Sequence, residues 1–388
     1  MTESVSRIAV PMMNVVRENQ ILESQLSSAI SGVFRHGQFM LGPEVATFEE
    51  RVARFLGVSH VIGVNSGTDA LLFALKAVGA GPGDEIVTAA NSFIATAGAA
   101  RQLGIVVRFA DVGPDENLDP LRIEEALTPR TKAIVPVHLR GRPARLDEIC
   151  EIAARHGIPV IEDASQAFGA RIGDRHVGTI GALGCFSMHP QKVLAAIGDA
   201  GIVTTNDAEA ARQIRLWRHH GLRSRDEASV WGQNSRLDSL QAAVLLVKLD
   251  YVSRWIERRR EIARIYDAAF SDIARDRDLV LPEEAADQYS VYYHYSVFSE
   301  RRDEFQAALH EHGVDARAHY PIPIHKQDAA LPSTMRLPIG GLPVTEWQAA
   351  RQLSLPIHHD FSDDQIACVI AAVNSFYGRA RNTPVRSS

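Results

Sequence analysis

Cysteine is nearly absent. The 388 residues hold three, Cys150, Cys185 and Cys368, too few and too scattered for a disulfide framework or a Cys-x-x-Cys zinc site. No metal site is therefore expected, and a reducing cytoplasm suits the chain. Basic excess is missing too: 41 Lys+Arg stand against 47 Asp+Glu, a formal charge of -6, which speaks against a nucleic-acid binder. Every apolar stretch is broken by charge, Gly or Pro before the ~18 residues that a spanning helix needs. The amino terminus, with Glu3 and Arg7 and no continuous apolar core, does not read as a signal peptide. A soluble protein without membrane or nucleic-acid partners is expected. Lysine is scarce among the basic residues, only Lys76, Lys132, Lys192, Lys248 and Lys326, so lysine chemistry has few possible owners. No internal repeat is present.

What is there, 46% hydrophobic and 23% charged residues, is the composition of an ordinary globular protein. At ~100–200 residues per domain, two or three structural units follow. From about residue 20 to 57 the spacing predicts amphipathic helix, interrupted at Gly37–Pro43 by loop residues. Short apolar runs then alternate with helix-length segments. His60–Val64, Glu85–Val87, Val106–Phe109, Ala133–Val137 and Pro159–Ile161 read as strands; Thr68–Val78, Ile94–Leu103, Leu121–Leu127 and Leu146–His156 read as helices. This alternation predicts βαβ units and an α/β domain with a mostly parallel sheet. Gly184–Met188 and Gly201–Thr205 read as two further strands. A helical run from about Leu237 to Phe270 leads to a strand over Val291–Phe298 and helices over Glu304–His312 and Gln365–Phe376, a smaller α+β domain.

Ligands of such sheets gather at the carboxyl ends of the strands. There the first strand runs into Asn65-Ser66-Gly67-Thr68 at a helix start, suited to phosphate, although simple helix capping by Ser66 or Thr68 explains the same residues. The only dense glycine cluster, Gly79–Gly83, follows a helix and precedes a strand, the wrong order for a dinucleotide fingerprint. Asp163 ends an apolar strand and needs either a cation or several donors opposite it; a salt bridge to a neighbouring Arg is the plain alternative. Lys76, Lys132, Lys248 and Lys326 read as solvated surface charges. Lys192 instead sits between two apolar strands, where desolvation turns an amine into a nucleophile toward carbonyls. A phosphate cradle, a strand-end carboxylate and a loop lysine at one sheet edge are the three contacts that pyridoxal phosphate asks for. Phe93 offers a stacking face for its ring, or a core aromatic.

The chain resembles the DegT/DnrJ/EryC1/StrS family of sugar aminotransferases, fold type I pyridoxal-phosphate enzymes. The likeness is carried by Gly42-Pro43-Glu44-Val45, Asn65–Leu71, Gly83-Asp84-Glu85, Ser92-Phe93-x-Ala95-Thr96, Glu162–Ala167, Phe186–Lys192, Gly198-Asp199-x-Gly201, Gly232–Ala243 and His319-Tyr320-Pro321. It begins near Ile8 and runs to about Phe376. The resemblance implies that Lys192 carries the cofactor as an imine, that Asp163 pairs with the pyridine nitrogen, and that Gln166 lies near the phenolic oxygen. Ser187, Gly67 and Thr68, beside Ser66, would hold the phosphate, and Phe93 would stack on the ring. Asn234 would reach the phosphate of a neighbouring subunit, which implies a homodimer with shared active sites. A large cofactor-binding domain over residues 1–250 and a small one over 251–388 follow, as do L-glutamate as amino donor and a nucleotide-linked keto-deoxy sugar as acceptor. His319, Tyr320 and His325 can line the acceptor pocket, as polar loop residues do equally well without function. His189 stands near the lysine, and in a related branch a histidine replaces the lysine and the enzymes are sugar dehydratases. Dehydration and a non-catalytic sugar-nucleotide-binding regulatory role are the alternatives. The basic stretch Arg218–Arg225 serves phosphates or merely solvates a loop.

Overall fold

In the structure, a computed structural model, residues 9–276 and 279–381 are described. The reading of the amino terminus rests largely on residues 1–8 and so lies outside them, as does Ile8 of the family likeness. Among the described residues no helix is long and apolar enough to cross a membrane.

Seven strands build the central sheet: β1 (His60–Val64), β2 (Glu85–Thr88), β3 (Val106–Phe109), β4 (Thr131–Val135), β5 (Ile161–Asp163), β6 (Leu183–Ser187) and β7 (Gly201–Thr205). One part has the order β1-β7-β6-β5 and the other β3-β2-β4, with the short strand Met335–Arg336 added beyond β3. Parallel bridges Ile134 to Val160 and Val137 to Asp163 join the two parts between β4 and β5. The β2–β3, β2–β4 and β5–β6 pairs are parallel, whereas β7 is antiparallel to both β1 and β6. The exception has a simple cause. A parallel return needs a crossover, usually a helix, and the segment between β6 and β7 contains none.

Helices cover both faces. On one, Leu71 and Leu75 of the helix Gly67–Ala77 pack with Ile86, Val107 and Val203. On the other, Phe48 and Val52 of Pro43–Leu56 and Ile149 of Leu146–His156 pack with Val87, Ile134 and Phe186. Strand ends are thereby left as the open rim. Two expected elements differ. Leu121–Leu127 is not one helix but two 3-10 turns, Pro120–Arg122 and Glu124–Ala126. The long run after Leu237 breaks at Asp250 and Tyr251 into Ser239–Leu249 and Val252–Arg275.

A third core surrounds the antiparallel strands Tyr295–Phe298 and Gln352–Leu355. Tyr266, Phe270, Phe305, Leu309, Val369 and Val373, from the helices Val252–Arg275, Arg302–Glu311 and Asp363–Arg381, pack there, and Val10 joins them. This body brings residues 290–320 over the rim of the large sheet.

Candidate active site

Three strand ends and one loop build the site. After β1, Ser66 caps the helix Gly67–Ala77, its Oγ accepting the amide of Asp69 at 3.1 Å. Capping therefore does occur, but it satisfies only one first-turn donor; the amides of Gly67 and Thr68 have no acceptor within the helix, and the positive end of the helix dipole lies there. The helix start is pressed against β6 and β7. A Cβ on Gly67 would lie 2.7 Å from that of Ser187, so glycine lets the backbone approach.

At the end of β5 the buried carboxylate of Asp163 accepts from Thr96 Oγ1 at 2.7 Å and from the amide of Ser165 at 3.1 Å. Both donors are neutral, and Asp163 forms no ion pair among the described residues, so the plain alternative of a salt bridge to arginine does not apply. Gln166 is held at both ends of its amide: Oε1 accepts the backbone N–H of Arg140 at 2.7 Å, and Nε2 donates to the Tyr320 hydroxyl at 3.3 Å. Arg140 takes φ of 61° to present that amide.

Lys192 sits on the loop between β6 and β7, its amide bonded to the His189 carbonyl at 2.8 Å. Its Nζ lies 4.7 Å from the centre of the Tyr293 ring. Burial pushes its proton affinity below the ordinary lysine value, with Tyr320 and Asp163 opposing the shift. Burial likewise raises the Tyr293 phenol to about 12 and, aided by Arg140 and Arg317, lowers His319 to about 3. His189 is lowered by burial and by Lys192.

These groups share one cavity of about 670 Å³, lined by Ser66, Gly67, Thr68, Phe93, Asp163, Gln166, Ser187, His189, Lys192, His319 and Tyr320. Two expected residues are not among its lining. Asn234 is exposed, bridged to His219. His325 is buried with Nε2 3.0 Å from Glu346 Oε1 and its ring beside Phe109, a place that does not fit the substrate role expected of it. The cavity also contains residues that sequence reasoning did not assign: Met12, Thr96, Tyr293, His294, Asp315 and Arg317. Thr96 carried a signal, its place in the Ser92–Thr96 motif; the others carried none.

Two further readings are corrected. Lys248 is no surface charge: it is fully buried, with Nζ 2.7 Å from Glu18 Oε1. Glu18, His358 and His359 offer ligand atoms within 4.8 Å of one another, a group able to hold a metal ion, yet the Lys248 ammonium already supplies a cation there. Arg218 neither faces phosphate nor solvates a loop. It is buried and donates to Glu49 and to the Gly63 carbonyl.

A mostly parallel seven-stranded sheet with a buried carboxylate, a phosphate-suited helix start and an enclosed lysine at its rim defines a fold type I pyridoxal-phosphate enzyme. Residues 20–374 match the DegT/DnrJ/EryC1/StrS aminotransferase family, and the chain belongs to that family. A pleiotropic regulatory protein of Geobacillus stearothermophilus is 38% identical over 95% of this chain and 98% of its own. The dTDP-3-amino-3,4,6-trideoxy-alpha-D-glucose transaminase of Streptomyces venezuelae is 39% identical over 95% of this chain and 97% of its own. Among solved structures, S. venezuelae DesV in complex with a ketimine intermediate superposes with a TM-score of 0.91 at 38% identity, covering 95% of this chain and 98% of that one.

Proposed function

We propose that this protein is a pyridoxal-phosphate-dependent aminotransferase that moves an amino group from L-glutamate to a nucleotide-linked keto-deoxy sugar, giving an amino sugar. The observation that carries the reading is that Lys192 and Asp163 line one cavity, the carboxylate being buried and, among the described residues, held by neutral donors alone. A buried anion without a cation of its own fits a protonated ring nitrogen. The bare backbone at Gly67, closed against Ser187, fits a phosphate.

When bound, pyridoxal phosphate supplies an electron sink for charge developing at the carbon next to the transferred amine. The protein's residues do the rest. Lys192 Nζ, its proton affinity lowered by burial, anchors the cofactor and carries a proton at the donor's α-carbon. Asp163, oriented by Thr96 and Ser165, holds a proton on the pyridine nitrogen. Gln166, fixed between Arg140 and Tyr320, orients the ring through its phenolic oxygen. Ser187 and the first-turn amides of Gly67 and Thr68 hold the phosphate, and Phe93, whose ring centre is 5.8 Å from that of Tyr320, covers the ring. His189, His319 and Tyr320 face the substrates. Asn234, exposed in the single chain, belongs to the phosphate site of a partner subunit in a homodimer. The large and small domains part near residue 250; within the helix Val252–Arg275, Val252 and Ile256 pack with the large core and Ile262 with the small one. Three unpaired cysteines fit a cytoplasmic enzyme.

The test is the visible spectrum of the purified protein loaded with pyridoxal phosphate, before and after L-glutamate, beside that of Lys192→Ala. A yellow band that glutamate bleaches with release of 2-oxoglutarate, and that the variant does not form, supports the reading; a panel of dTDP- and UDP-linked keto sugars then identifies the acceptor. A wild type without the band overturns it. A band that glutamate leaves unchanged turns the assignment to a dehydratase. A regulatory role, which the name of the Geobacillus relative brings forward, is favoured only if no keto sugar turns over.

A further inference from the structure

His294 lines two cavities. One is the 670 Å³ active-site cavity. The other is a small recess of about 10 Å³, bounded by Glu116, Arg140, Ser290 and Tyr292 as well as His294. Among the described residues, three polar atoms here are buried without a hydrogen-bond partner: His294 Nδ1, Arg140 Nη1 and Ser290 Oγ. These residues are 6%, 6% and 3% exposed. A space of ~10–15 Å³ is that of one water molecule, and a buried water makes two to four hydrogen bonds. Volume and partners therefore agree.

We propose that a single ordered water in this chamber joins Arg140, Ser290 and His294, and that His294 thereby presents Nε2–H to the active-site cavity as a specificity-determining donor to an uncharged oxygen of the keto sugar. The inference rests on the function proposed above. Arg140 Nη1 can only donate, so the water's oxygen accepts there and its hydrogens turn to Ser290 and His294. Arg140 cannot swing away, because its Nε donates to Glu116 Oε1 at 2.8 Å. The amide of His294 in turn donates to the Arg140 carbonyl at 3.3 Å. The imidazole is stacked on His319 with ring centres 4.2 Å apart and 18° between planes, and His319 is tied by Nδ1 to Ser354 Oγ at 3.1 Å. Burial, with His319, Arg140 and Lys192 close by, keeps the ring uncharged. A carboxylate or phosphate would draw a full cation, and the cavity offers one in Arg317, itself paired with Asp315 at 2.8 Å. A neutral N–H matches a hydroxyl or carbonyl of the sugar.

The first test does not need the acceptor. In the ¹⁵N spectrum of histidine-labelled holoenzyme, with His294 assigned through its loss in His294→Gln, the ring is expected neutral with Nε2 protonated; an Nδ1–H tautomer or an imidazolium overturns the proposal. The second separates the half-reactions, with the dTDP- or UDP-linked keto sugar that the wild type accepts. His294→Ala is expected to leave the glutamate-driven bleaching within twofold of wild type and to lower kcat/KM for the sugar ten- to a hundredfold. His294→Gln, whose amide N–H replaces the donor, recovers part of that loss, and Ser290→Ala gives a smaller loss of the same kind. Equal losses in both half-reactions, or none with the sugar, overturn the inference. A wild type that glutamate does not bleach tells against the proposed function instead, and the tautomer still decides the inference.

Discussion

Gly201→Ala tests whether the helix start is held where a phosphate needs it. Gly201 opens β7, and a Cβ built on it would lie 2.4 Å from both the carbonyl carbon and oxygen of Ser66 and 2.7 Å from the amide nitrogen of Gly67. All three are backbone atoms, so no rotamer change relieves the contact. Either β7 or the first turn of Gly67–Ala77 must move, and the turn is the less constrained of the two, since β7 is paired on both edges. Overpacking costs about 1–3 kcal/mol, and three backbone collisions place this substitution at about 3 kcal/mol. Spent on displacing the amides of Gly67 and Thr68, that loss corresponds to roughly a hundredfold weaker cofactor binding. The assay is a titration of apoprotein with pyridoxal phosphate followed by absorbance, with thermal unfolding recorded alongside. Gly81→Ala is the control, since a Cβ there meets nothing within 4 Å; a change within about 0.5 kcal/mol is expected. If Gly201→Ala binds the cofactor as tightly as the wild type, the close packing of β7 on the helix start does not shape the phosphate site.

Thr96→Val removes the 2.7 Å hydrogen bond to Asp163, worth about 1.5–3 kcal/mol for a charged acceptor; stopped-flow bleaching by glutamate should slow about tenfold, against a much larger loss in Asp163→Asn, and equal losses would contradict the positioning role of Thr96. Lys248→Met leaves Glu18 buried without its ammonium and should destabilise the fold by about 3–5 kcal/mol. Calorimetry on Lys248→Met with Glu18→Gln should recover most of this, and a neutral single variant would refute the pairing. Acid should destabilise the protein through its buried histidines: burial lowers His358 to about 4 and His319 to about 3, whereas unfolded histidine titrates near 6.5. Between those values the unfolded chain binds the proton and the folded one does not, so stability falls as pH drops from about 6.5 toward 4, by roughly 1.4 kcal/mol per pH unit for each such group. A melting temperature unchanged between pH 7 and 4.5 would show that these rings are not held neutral.

The cofactor half of the site was legible because it is local. Each proposed contact lies at the end of, or within a few residues after, a strand that apolar patterning reveals: Ser66–Thr68 after β1, Asp163 at the end of β5 and Gln166 beyond it, and Ser187 at the end of β6 with Lys192 beyond it. β1, β3 and β7 lie where the sequence placed them, and the ends of β4 and β5 shifted by two residues because apolar content marks a strand's centre better than its hydrogen-bonded limits. The burial of Lys248 was not legible, since periodicity shows which face of a helix is apolar and not which carboxylate meets it from another element. Glu18 lies 230 positions away.

The substrate half differs in kind. Tyr293 and His294 reach the cavity on the flank of the strand Tyr295–Phe298, and Arg317, His319 and Tyr320 on a segment that Arg317 bridges to Ser354 of its partner strand Gln352–Leu355. Their neighbours Asp163 and Lys192 are more than a hundred residues earlier, and nothing in a local pattern encodes such a meeting. The same reasoning separates His319 from His325, six positions apart in one Pro-rich stretch: His319 is anchored by Gln352 and Ser354 of the second strand and lines the cavity, whereas His325 is drawn to Glu346. Under the proposed function, the docking of the smaller body on the larger would govern substrate choice, so substitutions at Gln352 or Ser354, which are not among the residues lining the cavity, should act on the sugar half-reaction before they act on the glutamate half.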